Sequence, residues 1–554
     1  MNIDFNDISI TSNEWFSANV VYEGRGRAEF EDPSGSVEGA VVVRFNEYGE
    51  SSVQMTVETV TSDRALQFGS MEFFSGEKPV TEEHVVSLPL TFKNNPCKRL
   101  TVETADGKFS STEGIYYGRS ITVLGNEPEK LDFHLLRSEF QTNKTEPAYY
   151  WAFPLANFVS KFRERHLELD RHPLRIYPTP LVPHGLPDNE RMRAIYRANS
   201  KNNLIVFEFN NGLGFIEALP DHETRKENLL NGRERYAVTS IMVGEVNGES
   251  IEFSELDTWL PSEFLRLLSL ASGSVVSAPW IEFRDRHGML VKRIHVSWEG
   301  SSFSKGRRAI SEDIHTGAGY LLTRYVSSTD RGKAYLRVAL KHLIQAGLYG
   351  ESIEDSFVYL CRALEGLCEH YGTKKQNLLR ELNTANELEV KQALGTAAKV
   401  IKSWAATAGA SGESEQSRVL NRIADRTANT ANVDSDFGLA VCALLKVFNL
   451  PDADILDAHY RVNPRADGRH TWAAVLSYYR GAPTHTGYFN FSGKEHDATD
   501  ILTVMDHLRD VVLRIVFQIV GYDGTYQPPV IRWTIDAKFN WVRADTTASE
   551  LGYS

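Results

Sequence analysis

Trp472-Ala-Ala-Val-Leu-Ser-Tyr-Tyr-Arg-Gly-Ala-Pro-Thr-His485, with the apolar run from Asp497 to Tyr522 behind it, decides how the end of this chain folds. Trp472, Val475, Leu476 and Tyr479 recur at i, i+3, i+4 and i+7, the stripe of a half-buried helix. Ile501, Leu502, Met505, Leu508, Val512, Ile515, Val516 and Ile519 repeat that pattern, and Asp497 is placed to cap the second helix. Gly481 and Pro483 between the stripes predict a turn. On that reading Arg480 ends one helix and His485 stands just beyond it.

Those two side chains suit phosphate chemistry. A guanidinium is planar and permanently charged, so it can grip two phosphoryl oxygens together. An imidazole with an ordinary pKa of about 6.5 can move protons near neutrality. Together they could cleave RNA without a metal, a base taking the 2′-hydroxyl proton while a cation stabilises charge on phosphorus. The bland alternative is an arginine complementing a helix C-terminal dipole, with a loop histidine nearby. A second Arg-x4-His spacing, Arg465 to His470, lies in a polar approach containing Pro464 and Gly468 and reads as solvated loop.

Working outward, helical spacing continues upstream over Ala334–Ala346, Ile353–Tyr371, Gln376–Thr384, Glu389–Ala405, Ser417–Thr427 and Phe437–Phe448. Before about residue 315 the pattern changes to short β-branched and aromatic runs. Examples are Ala18–Tyr22, Gly39–Phe45, Ser52–Val57, Ile121–Leu124 and Leu131–Leu136, with turns at Asp32–Gly35 and Asn46–Gly49. A Pro-punctuated stretch, His172–Pro183, precedes further strands at Leu204–Phe209, Tyr236–Met242, Val275–Phe283 and Leu290–Trp298. One helix, Pro261–Ala271, lies among them. The fold class expected is a multidomain α+β chain. A sandwich-like β-rich domain spans residues 1–165, an α+β domain 166–315, an all-α bundle 316–525 and a tail 526–554.

Composition narrows the function. The formal charge of −13 argues against nucleic-acid capture by the whole surface. Residues Tyr320–Thr525 carry 23 Lys/Arg against 24 Asp/Glu, so the acid excess lies outside the helical region, which can still hold a local basic cleft. Cys97, Cys361, Cys368 and Cys442 lack paired metal-ligand spacing and fit a reducing cytosol, and Cys361 and Cys368, seven apart on an apolar helix face, read as small buried thiols. The start, Met1-Asn-Ile-Asp-Phe-Asn-Asp, predicts no secretory leader, and no run approaches the roughly 18 apolar residues of a membrane helix. No P-loop, Gly-rich dinucleotide, zinc-protease or nucleophile-elbow motif occurs, and no cofactor is expected.

Two segments carry a family resemblance: Tyr478-Tyr-Arg-Gly-Ala-Pro-Thr-His-Thr-Gly487, and the earlier helix Phe357-Val-Tyr-Leu-Cys-Arg-Ala-Leu-Glu-Gly-Leu-Cys368. The helical region resembles the HEPN superfamily of ribonucleases, and a β-rich half followed by such a domain is similar to ApeA-type anti-phage proteins. Gly481 departs from the family, which often places a polar residue directly after the arginine. The resemblance implies a two-fold homodimer with a composite RNA-cleaving cleft. It also implies metal-independent cleavage to a cyclic phosphate and a 5′-hydroxyl, Arg480 on the scissile phosphate and His485 in acid/base work. On this reading RNA is the substrate, a phage-derived trigger acts on the N-terminal half, and no membrane is involved. The alternative is a catalytically silent helical module that dimerises or binds RNA or protein.

Supporting positions follow from placement. Glu365 flanks the stripe Phe357, Cys361, Leu364, Cys368, Tyr371 and could orient Arg480. Tyr478 and Tyr488 could stack bases, whereas Tyr479 lies on the core stripe. The basic clusters Lys161–His166 and Ser304–Arg308 read as solvated surface.

Overall fold

A computed structural model describes residues 20–30, 35–47, 49–62, 97–113, 116–121, 130–143, 147–148, 150–159, 205–209, 212–219, 221–245, 260–285, 289–296, 303–304, 306, 308–310, 314–348, 352–373, 384–429, 437–451, 456, 459, 472–491, 497–522 and 526. The chain divides into two compact units, Met1–Ser327 and Ser328–Ser554. It is an α+β protein, with antiparallel sheet first and helices after.

Among the described residues the first unit holds one fourteen-stranded sheet. Its strands are β1 Val20–Phe30, β2 Gly35–Phe45, β3 Ser51–Ser62, β4 Cys97–Thr104, β5 Gly107–Glu113, β6 Tyr116–Ile121 and β7 Lys130–His134. They continue with β8 Arg137–Thr142, β9 Tyr150–Ala156, β10 Ile205–Phe209, β11 Gly212–Ala218, β12 Val238–Glu245, β13 Trp280–Arg284 and β14 Leu290–Val296. The order is β10-β11-β12-β9-β13-β14-β8-β5-β4-β1-β2-β3-β7-β6, so strands expected in residues 1–165 and strands expected in 166–315 hydrogen-bond into the same sheet. Alternation supplies the inward side chains: Tyr22, Ala28 and Phe30 of β1, Val41, Val43 and Phe45 of β2, and Val53 and Met55 of β3 are all buried. Full burial of such side chains stabilises by about 1.5–3 kcal/mol each.

The sheet curls on itself. β14 lies four strands from β1, about 19 Å on a flat sheet at about 4.8 Å per strand. Yet the Tyr22 hydroxyl and His295 Nε2 are 2.9 Å apart, and the Phe45 and His295 rings stack at 3.7 Å. Tyr22 also stacks on Phe140 at 4.5 Å, and Phe30 on Phe133 at 6.5 Å. The concave face thus closes into a barrel-like core.

Helices flank this sheet. Helix α1 runs His222–Leu230. A wide π turn, Leu260–Phe264, leads into α2, Leu265–Ser272, so the helix expected from Pro261 begins irregularly. Helix α3, Ile314–Ser327, belongs to this first unit, which places the boundary after Ser327 instead of near residue 315. The Tyr325 hydroxyl of α3 donates to buried Glu263 at 2.8 Å.

The second unit is helical: α4 Ala334–Leu348, α5 Ile353–His370, α6 Thr384–Ala410, α7 Ser414–Asn429, α8 Phe437–Val447, α9 Trp472–Thr486 and α10 Ala498–Ile519. Ser352 caps α5 by accepting from the Asp355 amide at 3.1 Å, and Asp497 caps α10 through the amides of Thr499 and Asp500. Helix α10 is buried nearly all round, including Asp506, His507, Asp510 and Arg514. Asp510 accepts from the Tyr526 hydroxyl at 2.8 Å and sits 3.5 Å from Arg514 Nη1. Among the described residues no helix is long and apolar enough to cross a membrane. The expected helix Gln376–Thr384 up to residue 383, the prolines of His172–Pro183, Lys161–His166 and the Arg465/His470 pair lie outside the described residues.

Candidate functional site: an arginine pinned on the helical unit

The stripe Trp472, Val475, Leu476 and Tyr479 is buried and seats α9. Gly438 permits the approach of α8, since a Cβ there would sit 2.1 Å from the Ala473 carbonyl oxygen; its amide donates to Ser477 Oγ at 3.3 Å. That crossing slides Phe437 beneath Arg480, whose Cζ stands 4.8 Å from the ring centroid. From α5, Glu365 Oε1 accepts a hydrogen bond from Arg480 Nη2. The structure thus brings Glu365 and Arg480 together, one on each of two neighbouring helices. Both side chains keep substantial exposure, 40% for Arg480 and 34% for Glu365. A guanidinium held on one face and one edge, yet wet, can still meet a phosphoryl oxygen.

The turn expected between Arg480 and His485 is not there. Helix α9 continues through both residues to Thr486, with Pro483 inside it and buried. Pro483 gives up one rung of the helical ladder, and Gly487, at φ +79°, ends the helix with its amide on the Pro483 carbonyl at 3.1 Å. Five residues at 100° and 1.5 Å each put Arg480 and His485 about 140° apart round the axis and about 7.5 Å along it. They therefore occupy different faces of one helix. The His485 side chain lies outside the described residues.

Tyr488 is exposed just past the helix end, and Tyr478 is half-buried with its ring edge-on to Tyr479 at 5.1 Å. Phe489 anchors this exit, its amide donating to Glu354 Oε1 at 3.2 Å and its ring packing edge-on against Phe357 at 5.5 Å. Cys361 and Cys368 are buried thiols. Burial pushes the Cys361 thiol up, Glu365 pushes it further and Arg480 opposes. Protonated and enclosed, it is no nucleophile.

One grouping was not legible in the sequence. Asp500, in the first turn of α10, accepts from the Tyr479 hydroxyl at 2.9 Å and meets His459 Nε2 at 2.6 Å. It locks the residue before Arg480 to the start of α10, and only the Asp497 cap, which fixes where α10 starts, hinted at it.

No protein-family model, curated protein or solved structure matches this chain.

Proposed function

We propose that the helical unit is a metal-independent RNA endonuclease serving anti-phage defence in the cytoplasm, with the β-rich unit sensing a trigger or restraining the cut. The observation that supports it is Arg480, pinned by Glu365 and Phe437 yet half-exposed within a helix that also bears His485. In the reaction a base removes the 2′-hydroxyl proton, that oxygen attacks phosphorus, and the 5′-oxygen leaves with a proton from an acid. The products are a cyclic phosphate and a 5′-hydroxyl. Attack and departure lie on opposite sides of phosphorus, so one imidazole cannot readily serve both ends. A two-fold pair supplies a second histidine, and it also answers the separation of Arg480 from His485 round α9.

Purified full chain incubated with RNA and excess EDTA tests this. Cleavage should persist in the chelator and fall at least about a hundredfold in both Arg480→Ala and His485→Ala. Equal cleavage by wild type and both variants rejects the site. A second reading, a silent RNA- or protein-binding module, draws on the same Glu365–Arg480 pair, since a structural arginine would be held the same way. It predicts no cleavage by wild type.

A further inference from the structure

Helices α6 and α7 form an antiparallel hairpin that turns at Ser411–Glu413. Small residues seat it: Ala398, Ala405 and Ala408 of α6 and Ala424 of α7 are buried, and Ser417 Oγ donates to the Ala405 carbonyl at 2.7 Å. Lys402 and Asp425 close one edge at 3.1 Å. The opposite face is unusual for a charged protein. Trp404 is 59% exposed, Val419 48%, Val400 46% and Ile423 45%.

Helical geometry puts these four on one face. Counted from the inward Ala405, Val400 and Trp404 lie about 140° and 100° round α6, and counted from Ala424, Val419 and Ile423 lie about 140° and 100° round α7 in the same sense. Antiparallel neighbours are related by a two-fold axis through the pair, so equal angles in one sense share a face. The Ala405–Ser417 contact sets the level, bringing Trp404 beside Val419 and Val400 beside Ile423. Ala393, Ala397, Thr396 and Thr407 extend the face without adding charge.

We infer that this face is a self-association surface, on which two copies of the chain stack hairpin to hairpin about a two-fold axis. Charge favours a second copy over an unrelated protein. Glu415 and Arg426 stand near opposite ends of α7 on the rim of the patch; Glu415 also accepts from Arg418 Nη2 at 2.7 Å, an exposed contact that water screens. An antiparallel pairing of α7 with its copy sets Val419 against the second copy's Ile423 and Glu415 against the second copy's Arg426, and symmetry makes each contact twice. The 16 residues of α7 run about 24 Å, and two helix widths of about 10 Å give a flat footprint of roughly 480 Å². That is below the roughly 800 Å² per partner of a standard interface and matches a weaker, concentration-dependent pairing. This surface is separate from Arg480 and does not depend on the nuclease reading.

Light scattering on the full chain over a dilution series tests it. The wild type should have twice the particle mass of a Trp404→Ser/Ile423→Ser variant, and the two should share an unfolding midpoint once diluted to the dissociated chain, where both positions are exposed. If the chain also pairs at Arg480, the variant returns to that smaller particle, and the halving still reads out. Glu415→Arg or Arg426→Glu alone should weaken association at least tenfold, and the two together in one chain should restore it. Equal masses for wild type and the double-serine variant, or failure of the charge-exchanged chain to re-associate, overturns the proposal. A wild-type monomer whose quencher-accessible tryptophan emission is unchanged by Trp404→Phe would show that the chain covers this face itself, and overturns it too.

Discussion

Glu282 in the β-rich unit and Glu365 in the helical unit each hold an arginine, and their surroundings differ in kind. Glu282, on β13, is wholly buried. It accepts from Arg293 of β14, its directly opposite cross-strand partner, and from Arg284 Nη2 at 2.6 Å. Arg293 lies over the Trp280 ring at 5.6 Å and is almost as enclosed. Arg293 and Arg284 together hold the Glu282 carboxyl below its ordinary pKa even though burial alone would raise it. Glu365 and Arg480 make the same chemical contact at the surface of the helical unit, where water screens it. A charge pair sealed from solvent is committed to the fold. A wet one remains available to a ligand.

The sharpest way to break that contrast is to remove the buried carboxylate. Glu282→Gln leaves Arg293 and Arg284 inside the barrel without a counter-charge, so unfolding of the full chain in denaturant should lose about 3–5 kcal/mol. A loss below about 1 kcal/mol would mean that water reaches the pair and that the two sites do not differ as described.

Acid gives a smaller effect on the same core. His295 neighbours Arg293, and burial, then the nearby Arg293 charge, depress its pKa well below the ordinary value. The folded chain keeps the ring neutral, while the unfolded chain protonates it below about pH 6.5. The unfolded state therefore binds the extra proton, and this contribution to stability is complete above that pH and drains away as pH falls. Between pH 7.5 and pH 5 the loss should reach about 2 kcal/mol. Denaturation curves at the two pH values check it, with His295→Gln expected to shed that part of the slope. An undiminished slope in the variant would assign the pH dependence elsewhere.

These two sites also show where local sequence stops informing. Strands β13 and β14 interleave polar and apolar residues, which reads correctly as strand. That Glu282, Arg293 and His295 face a closed interior depends on the sheet curling four strands round to Tyr22, a tertiary fact with no local period. The stripes of α9 and α10 were legible because each buries a face set by 3.6-residue spacing. The continuation of α9 through Gly481 and Pro483 was not, because both residues are local helix breakers. Burial of Pro483 and the capping turn at Gly487 override that propensity. Glu365 could be proposed for Arg480 from its place beside a stripe, whereas His459 and Asp500 lie 41 positions apart with no shared pattern.

The smallest expected change in stability completes the contrast. Glu365→Gln removes charge from a contact whose partners are each more than a third exposed, so unfolding should shift by less than about 1 kcal/mol. Its effect should appear in function instead. With a neutral amide in place of the carboxylate, Arg480 keeps Phe437 beneath it but is held from the side by an uncharged hydrogen bond only, so it should still attract phosphate while holding it less accurately. On the proposed nuclease reading, the variant should bind RNA at least as tightly as wild type and cut it several-fold more slowly, with an unfolding midpoint little changed. A destabilisation as large as that of Glu282→Gln, with cleavage untouched, would make the helical pair another structural lock and take away the physical support for a site at Arg480.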